Sequence, residues 1–281
     1  MNADSTDISL SLCRHPLNNF YISRDRTICP ICGSFYDNKY KDNNFVYDDS
    51  YPEKRSHFDK NVLKNKIKSA RNFISKLDIS LEGKNVLEVG FGSGDTLPIY
   101  KELGAITFGL EAVKINVENA VKLGIDRKNL FLVEELPEEF PVKIDVFVFF
   151  DSFEHIPDQY KFVEWMRKNS ASGAQILLIA PKADSFSQKI MWPFWAHRIP
   201  DHQFHWSEPG LIDLFKGYSF AKIKSFLPLK SVTVRTLVIH VGMIFQIKSA
   251  PALLVKIFNP ILNISLWFNI GEHGLIFKSE V

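Results

Sequence analysis

The chain has 281 residues, 46% of them hydrophobic, which suits a globular core and excludes general disorder. Its formal charge of +2 comes without a basic block, so composition gives no push toward a nucleic-acid surface and no nucleic-acid partner is expected. Three cysteines are an odd count for a disulfide framework, and the opening Met1-Asn2-Ala3-Asp4 lacks the layout of a signal peptide, so a cytoplasmic chain is the simpler reading.

Residues 1–55 are short in helical pattern and rich in Asn, Asp, Tyr and Cys, and read as a small irregular module. Over 56–77 apolar residues recur at helical spacing (Val62, Leu63, Ile67, Ala70, Phe73, Ile74, Leu77), with lysines between them. This helix leads into a second domain, 56–281. From Lys84 strands and helices alternate, with strands expected at 85–89, 106–110, 130–133, 145–150 and 175–180 and helices at 96–103, 112–123, 158–169 and 207–216. Such alternation predicts a parallel sheet covered by helices on both faces, with ligands bound beyond the carboxyl ends of the strands. Two further strands are expected at 219–226 and 274–278, with an apolar, helical insertion at about 236–269 between them. Its most apolar part contains Lys256, Asn259, Pro260, Asn263 and Asn269, which argues against a membrane-spanning helix.

The most informative segment is 86–95, Val-Leu-Glu-Val-Gly-Phe-Gly-Ser-Gly-Asp. Val86, Leu87 and Val89 suit a buried central strand, and Gly90, Gly92 and Gly94 let the backbone turn sharply and a ligand come close. A dinucleotide site wants G-x-G-x-x-G; here the pattern is E-x-G-x-G-x-G. An acid so near the turn would repel a pyrophosphate and could pair with a cationic amino acid. This pattern resembles the first motif of the class I S-adenosylmethionine-dependent methyltransferases.

The resemblance implies a doubly wound, mostly parallel seven-stranded α/β sheet of Rossmann-like type, with the last strand inserted antiparallel. It implies Glu88 near the methionine ammonium of the cofactor and the three glycines beneath it. Glu111, about 20 residues after the first glycine, is then the acceptor for both ribose hydroxyls, although an acid starting a helix would also sit there. Glu134 and Glu135 stand where the family contacts adenine, or are solvated loop charges. Asp151-Ser152-Phe153-Glu154-His155 looks like the family's D-x-x-E-H stretch, which lines the methyl-donor end and makes Asp151 a cofactor neighbour. No D/N-P-P-Y motif occupies this place, which argues against methylation of adenine or cytosine amino groups.

His155 is a candidate general base, or braces its loop before Pro157. The aromatic run from Trp192 to Trp206 resembles the H-x-x-x-F-T/S-x-x-x-L pattern of many small-molecule methyltransferases, which makes His202 and His205 candidates for a catalytic or substrate role. A hydrophobic lid without a base is the other reading of that run. Cys29-Pro30-Ile31-Cys32-Gly33 is a knuckle of the zinc type, and Cys13 and His15 would complete a Cys3His site, with His57 as a substitute ligand. Buried thiols without metal are the alternative.

The order of knuckle, Tyr47 and Tyr51, then cofactor domain resembles bacterial methyltransferases with an N-terminal zinc-binding region, some of which act on nucleotide-linked sugars. The leading expectation is therefore an S-adenosylmethionine-dependent methyltransferase with structural zinc, acting on a small molecule such as a sugar or polysaccharide precursor. A second expectation places it at a membrane surface on a lipid-linked substrate, through peripheral contact by the C-terminal apolar segment near Arg235, Lys248 and Lys256. A third is a non-catalytic binding protein on the same fold. The apolar C-terminal segment also leaves room for a homodimer.

Overall fold

The computed structural model describes residues 13, 15, 16, 19–40, 60–192, 194–202, 204–235 and 264–280. Its central sheet grows outward from β4 (Asn85–Val89). On one side lie β5 (Ile106–Glu111) and β6 (Leu130–Leu132); on the other lie β7 (Ile144–Phe150) and β8 (Ser170–Pro181), all parallel. Beyond β8 comes β13 (Glu272–Ser279), antiparallel, and then β10 (Phe220–Phe226), giving the order β10-β13-β8-β7-β4-β5-β6. This is the expected doubly wound, seven-stranded sheet with its last strand inserted antiparallel.

The strands alternate strictly because both faces are covered. Leu87, Val89, Phe147, Phe149, Ile176, Leu178, Leu275 and Phe277 face one core. That core is closed by α4 (Gln159–Asn169) and α6 (Glu208–Lys216), through Val163, Met166, Leu211, Leu214 and Phe215. Val86, Val146, Val148, Leu177, Ile179 and Ile276 face the other, under α1 (Lys60–Ile74), α2 (Leu97–Glu102) and α3 (Lys114–Lys122). Several helices begin where the sequence supplies a cap or a proline. Asp158 accepts the Lys161 amide at 3.0 Å, Ser207 accepts the Gly210 amide at 3.1 Å, and Pro98 occupies the first turn of α2.

A four-stranded antiparallel sheet joins β1 (Tyr21–Ser23), β2 (Arg26–Ile28) and β3 (Phe35–Asp37) to β9 (Phe204–His205). The N-terminal module thus borrows its fourth strand from the aromatic segment of the larger domain. A short helix that the sequence reading lacks, α5 (Phe186–Met191), precedes that segment.

The expected helical insertion needs one correction. Residues 236–263 lie outside the described part, as do Tyr47, Tyr51 and His57. Where its end is described, the chain is strand: β12 (Ser265–Phe268) pairs antiparallel with β11 (Lys230–Thr233). The pair is pinned to α1, where the Ser231 amide donates to Ser69 Oγ at 2.8 Å and the Ser231 hydroxyl to Asn65 at 2.9 Å. The segment is apolar without a helical period, so its composition alone points to the wrong element. Among the described residues no helix is long and apolar enough to cross a membrane.

Candidate active site

The turn after β4 holds the first half of the site. Gly90 has φ +70°, and a Cβ there would stand 2.5 Å from that of Ser152, whose hydroxyl donates to the Val89 carbonyl at 2.6 Å. Gly92 also lies in the left-handed region, at φ +58°, but among the described residues a Cβ on it would meet nothing nearer than Lys66 Nζ at 3.8 Å. Gly90 therefore packs against the neighbouring loop, whereas Gly92 presents bare backbone to open space. Gly94 packs on α3, 2.8 Å from Ala120 at the place of a Cβ.

Glu111, at the end of β5, ties this turn to the start of α3. One oxygen accepts the Gly92 amide at 2.7 Å; the other accepts the Ala112 and Val113 amides at 2.9 and 3.2 Å. The oxygen facing Ala112 and Val113 is thereby filled, and the one facing Gly92 keeps a lone pair for a hydroxyl donor. Burial raises its pKa, with the backbone amides pulling the other way.

Glu88 lies beneath the turn, 2% exposed, on the face covered by α2. The Thr96 hydroxyl lies 2.7 and 2.8 Å from its two oxygens. Burial pushes the Glu88 carboxyl up to about 7 against the hydrogen bond from Thr96 and the charge of Lys66. Lys66, on α1, reaches over the glycine turn to Ser93 Oγ at 3.5 Å and Asp95 at 3.9 Å. Glu134 and Glu135 follow β6 in a single 3₁₀ turn and are exposed; Glu135 pairs with Arg127 at 3.4 Å.

The second half of the site gathers at the ends of β7 and β8. Asp151 leaves β7 in the left-handed region, at φ +53°, a conformation that costs a non-glycine residue energy. Because β13 runs antiparallel, it begins where its neighbours end, and Glu272 stands opposite Pro181 at that edge. Lys230, at the start of β11, bridges Asp151 and Glu272. Burial opposes its charge, yet the two carboxylates hold its pKa above the usual lysine range. Burial would also raise Asp151, but Lys230 holds it below the ordinary carboxylate value, while burial and the charge of Asp151 push Glu272 up to about 8.

Next to this triad the histidines converge. His202 Nε2 lies 3.3 Å from His155 Nε2 and 3.8 Å from Glu154, and His197 Nε2 lies 3.5 Å from Glu272. Burial, then the neighbouring imidazoles, lower the His202 pKa well below 6.5, so its ring stays neutral. Burial with the charge of Asp151 raises Glu154. His205 behaves differently: it is fully buried in β9, between Phe35 and Trp195 at ring distances of 4.8 and 4.9 Å, and burial lowers it to about 3. The structure thus brings His155 and His202 together and gives His205 a packing position.

The four cysteine and histidine positions of the N-terminal module also meet. The ligand atoms of Cys13, His15, Cys29 and Cys32 all lie within 4.8 Å of one another, and Cys29 Sγ is 3.4 Å from His15 Nδ1. One tetrahedral zinc ion needs its sulfur and nitrogen donors roughly 3.3–3.8 Å apart, so the donor set fits it. His15 Nε2 faces Asp213 at 3.6 Å, the kind of carboxylate that orients a ligating imidazole. The single spacer of Cys13-x-His15 is no obstacle.

This cluster is fixed to the histidine segment. Phe35 of β3 pairs with His205, and Arg198 donates to Asp37 from Nε at 2.7 Å and Nη2 at 3.2 Å, and also to Asp25. The guanidinium lies 4.1 Å over the Trp192 ring, and Trp192 Nε1 donates to Asp25 at 2.7 Å. The module therefore holds Trp192, Arg198 and His205, which flank His197 and His202.

Lys66, Lys230 and Glu272 are among the polar residues of the site that the sequence does not single out. Glu272 had a usable signal, an acid just before a final strand that must start at the ligand edge. Lys66 and Lys230 had none, since no spacing relates them to the glycine motif.

The family described as a methyltransferase domain matches residues 58–225, more than half of the chain. A search of curated protein sequences returns no match. Solved structures with the same fold include a chain of the Haloferax volcanii complex between the Trm112 methyltransferase activator and a methyltransferase, at 15% identity and TM-score 0.55, covering 83% of this chain and 98% of that one. An S-adenosylmethionine-dependent methyltransferase from Thermotoga maritima aligns at 14% identity and TM-score 0.53, over 83% and 97%. Magnesium protoporphyrin IX methyltransferase from Synechocystis, solved with S-adenosylhomocysteine bound, aligns at 11% and 0.51, over 81% and 93%.

Proposed function

The chain belongs to the methyltransferase-domain family, and from that premise we propose that it methylates a small-molecule acceptor bearing a hydroxyl group, such as a sugar or polysaccharide precursor. The observation that carries this reading is the meeting of two half-sites at Gly90 and Ser152. A glycine turn flanked by buried acids touches a loop that opens a cluster of histidines and carboxylates. S-adenosylmethionine, when bound, supplies a methyl group activated by its sulfonium.

The chain's own residues divide the remaining work. Glu111 accepts the ribose hydroxyls, one with its spare lone pair and one in exchange for the Gly92 amide. Bare backbone at Gly92 lets the ligand lie against the turn, and Lys66 pairs with the carboxylate of the amino-acid part. Glu88 acts on the ammonium by its charge from below, and Glu134 is placed for the adenine edge. At the other end the Glu154, His155 and His202 cluster meets the acceptor hydroxyl, while the braced Asp151–Lys230–Glu272 triad fixes the wall beside it. Methyl transfer depends chiefly on in-line placement, so this rigidity is part of the chemistry. The N-terminal module holds zinc through Cys13, His15, Cys29 and Cys32 and keeps the histidine segment in place.

Calorimetric titration with S-adenosylhomocysteine tests the proposal. Binding in the micromolar range, lost in Glu111→Ala, is expected. No binding at millimolar ligand by folded protein overturns it.

A second reading is favoured by one feature, the exposed Phe186, Ile190 and Met191 of α5 with Phe194 just after it. Such a patch beside the acceptor end suits a lipid-linked substrate or contact with a bilayer. Co-sedimentation with anionic vesicles supports this version; no association removes it.

A further inference from the structure

We propose that Glu154, His155 and His202 form a second metal site, a donor set of two nitrogens and one carboxylate for a divalent transition-metal ion. The geometry of the two rings is the starting point. His202 Nδ1 lies 2.9 Å from the carbonyl of His197, and His155 Nδ1 lies 3.3 Å from the carbonyl of Asp201. A carbonyl can only accept, so the tautomer in which each Nδ1 donates to its carbonyl leaves the lone pair on Nε2. Those two Nε2 atoms face each other at 3.3 Å. Lone pairs so placed repel unless a cation lies between them.

The separation is that of two ligands on one ion: nitrogens about 2.05 Å from a tetrahedral centre stand roughly 3.3 Å apart. Backbone carbonyls holding both Nδ1 positions are the outer partners that ligating histidines use.

Glu154 is the independent observation. Its side chain is 4% exposed, its Oε1 lies 3.8 Å from His202 Nε2, and both of its buried oxygens lack a hydrogen-bond partner among the described residues. A buried carboxyl left so is unfavourable as the anion unless a cation balances it. The ligand atoms of all three residues lie within 4.8 Å of one another. Two imidazoles with a carboxylate suit zinc, iron, cobalt or manganese better than magnesium, which prefers oxygen donors.

Three protein ligands leave positions open. The role of the site rests on the methyltransferase reading, since an acceptor hydroxyl would fill an open position. Its proton would pass to bulk water. The oxygen–carbon bond then forms as the carbon–sulfur bond breaks, and that electron pair stays on sulfur.

The test loads the full-length protein with Co²⁺ and reads its absorption and metal content. A thiolate site gives an intense sulfur-to-metal band; a nitrogen–oxygen site gives weak visible bands without it. Two equivalents are expected, one of each kind, with the thiolate-free equivalent lost in both Glu154→Gln and His202→Ala. S-adenosylhomocysteine affinity, measured alongside, stays within about twofold. A wild-type protein with no thiolate-free component overturns the proposal even if a variant fails to fold. So does a component that survives in Glu154→Gln, and so does a proton shared by the rings, seen as zero uptake there. Failure of the methyltransferase reading would appear separately, as absent nucleoside binding with cobalt uptake unchanged.

Discussion

Replacing Glu88 by glutamine removes a charge that the fold holds at a cost while keeping the volume and the contact with Thr96. The carboxyl rises from an ordinary 4.5 to about 7 because it is buried under α2, which disfavours its ionised form by about 3 kcal/mol. The sign follows from linkage. The folded protein binds this proton more tightly than the unfolded chain, so the group's stabilisation is complete below about 4.5 and is lost as pH rises through about 7. Between pH 5.5 and 8.5 the loss amounts to roughly 2 kcal/mol. Urea unfolding of the wild type and Glu88→Gln at both pH values isolates it, since every other group titrates in both proteins. The variant is expected to gain about 2 kcal/mol on the wild type over that interval. A parallel decline in the two proteins refutes the reasoning. S-adenosylhomocysteine supplies the functional counterpart: its ammonium favours ionised Glu88, so affinity climbs through pH 7 in the wild type and stays flat in the variant.

Other expectations follow from the same contacts. Gly92→Val places a branched side chain at φ +58° in otherwise open space; stability falls by about 1–3 kcal/mol, and nucleoside binding in calorimetry is lost. Lys230→Met leaves Asp151 and Glu272 without their cation and lowers stability by about 3–5 kcal/mol, and adding Glu272→Gln recovers part of it in thermal melts. Arg198→Ala strands the fully buried Asp37 and costs a similar amount; it raises KM for the acceptor while S-adenosylhomocysteine affinity holds. Chelation of the Cys13–His15–Cys29–Cys32 site lowers the melting temperature by about 10 °C or more, and the emission of Trp192 and Trp206 shifts to the red.

The half of the site proposed for the cofactor is legible because its chemistry is local. A strand, three glycines and two acids at the ends of β4 and β5 are fixed by position along the chain, and the strand limits at 85–89 match the structure. The acceptor half was legible only in part. His155 and His202 could be named, but their convergence depends on β9 pairing with β3, a contact between residues far apart in sequence. Lys230 and Glu272 meet Asp151 only because β13 is inserted antiparallel and β11 is pinned to α1. Neither strand has a periodic signature strong enough to fix its ends. Similarly, β12 reads as helix because its composition is apolar and its partner strand is short.

A crystal structure with S-adenosylhomocysteine bound tests the central claim most directly. The account predicts ribose hydroxyls on Glu111, the amino-acid part over Gly92 and within reach of Lys66, and the sulfur facing the His155–His202 cluster. A nucleoside bound elsewhere, or Glu111 still closed on the Gly92 amide with the ribose out of reach, would contradict it.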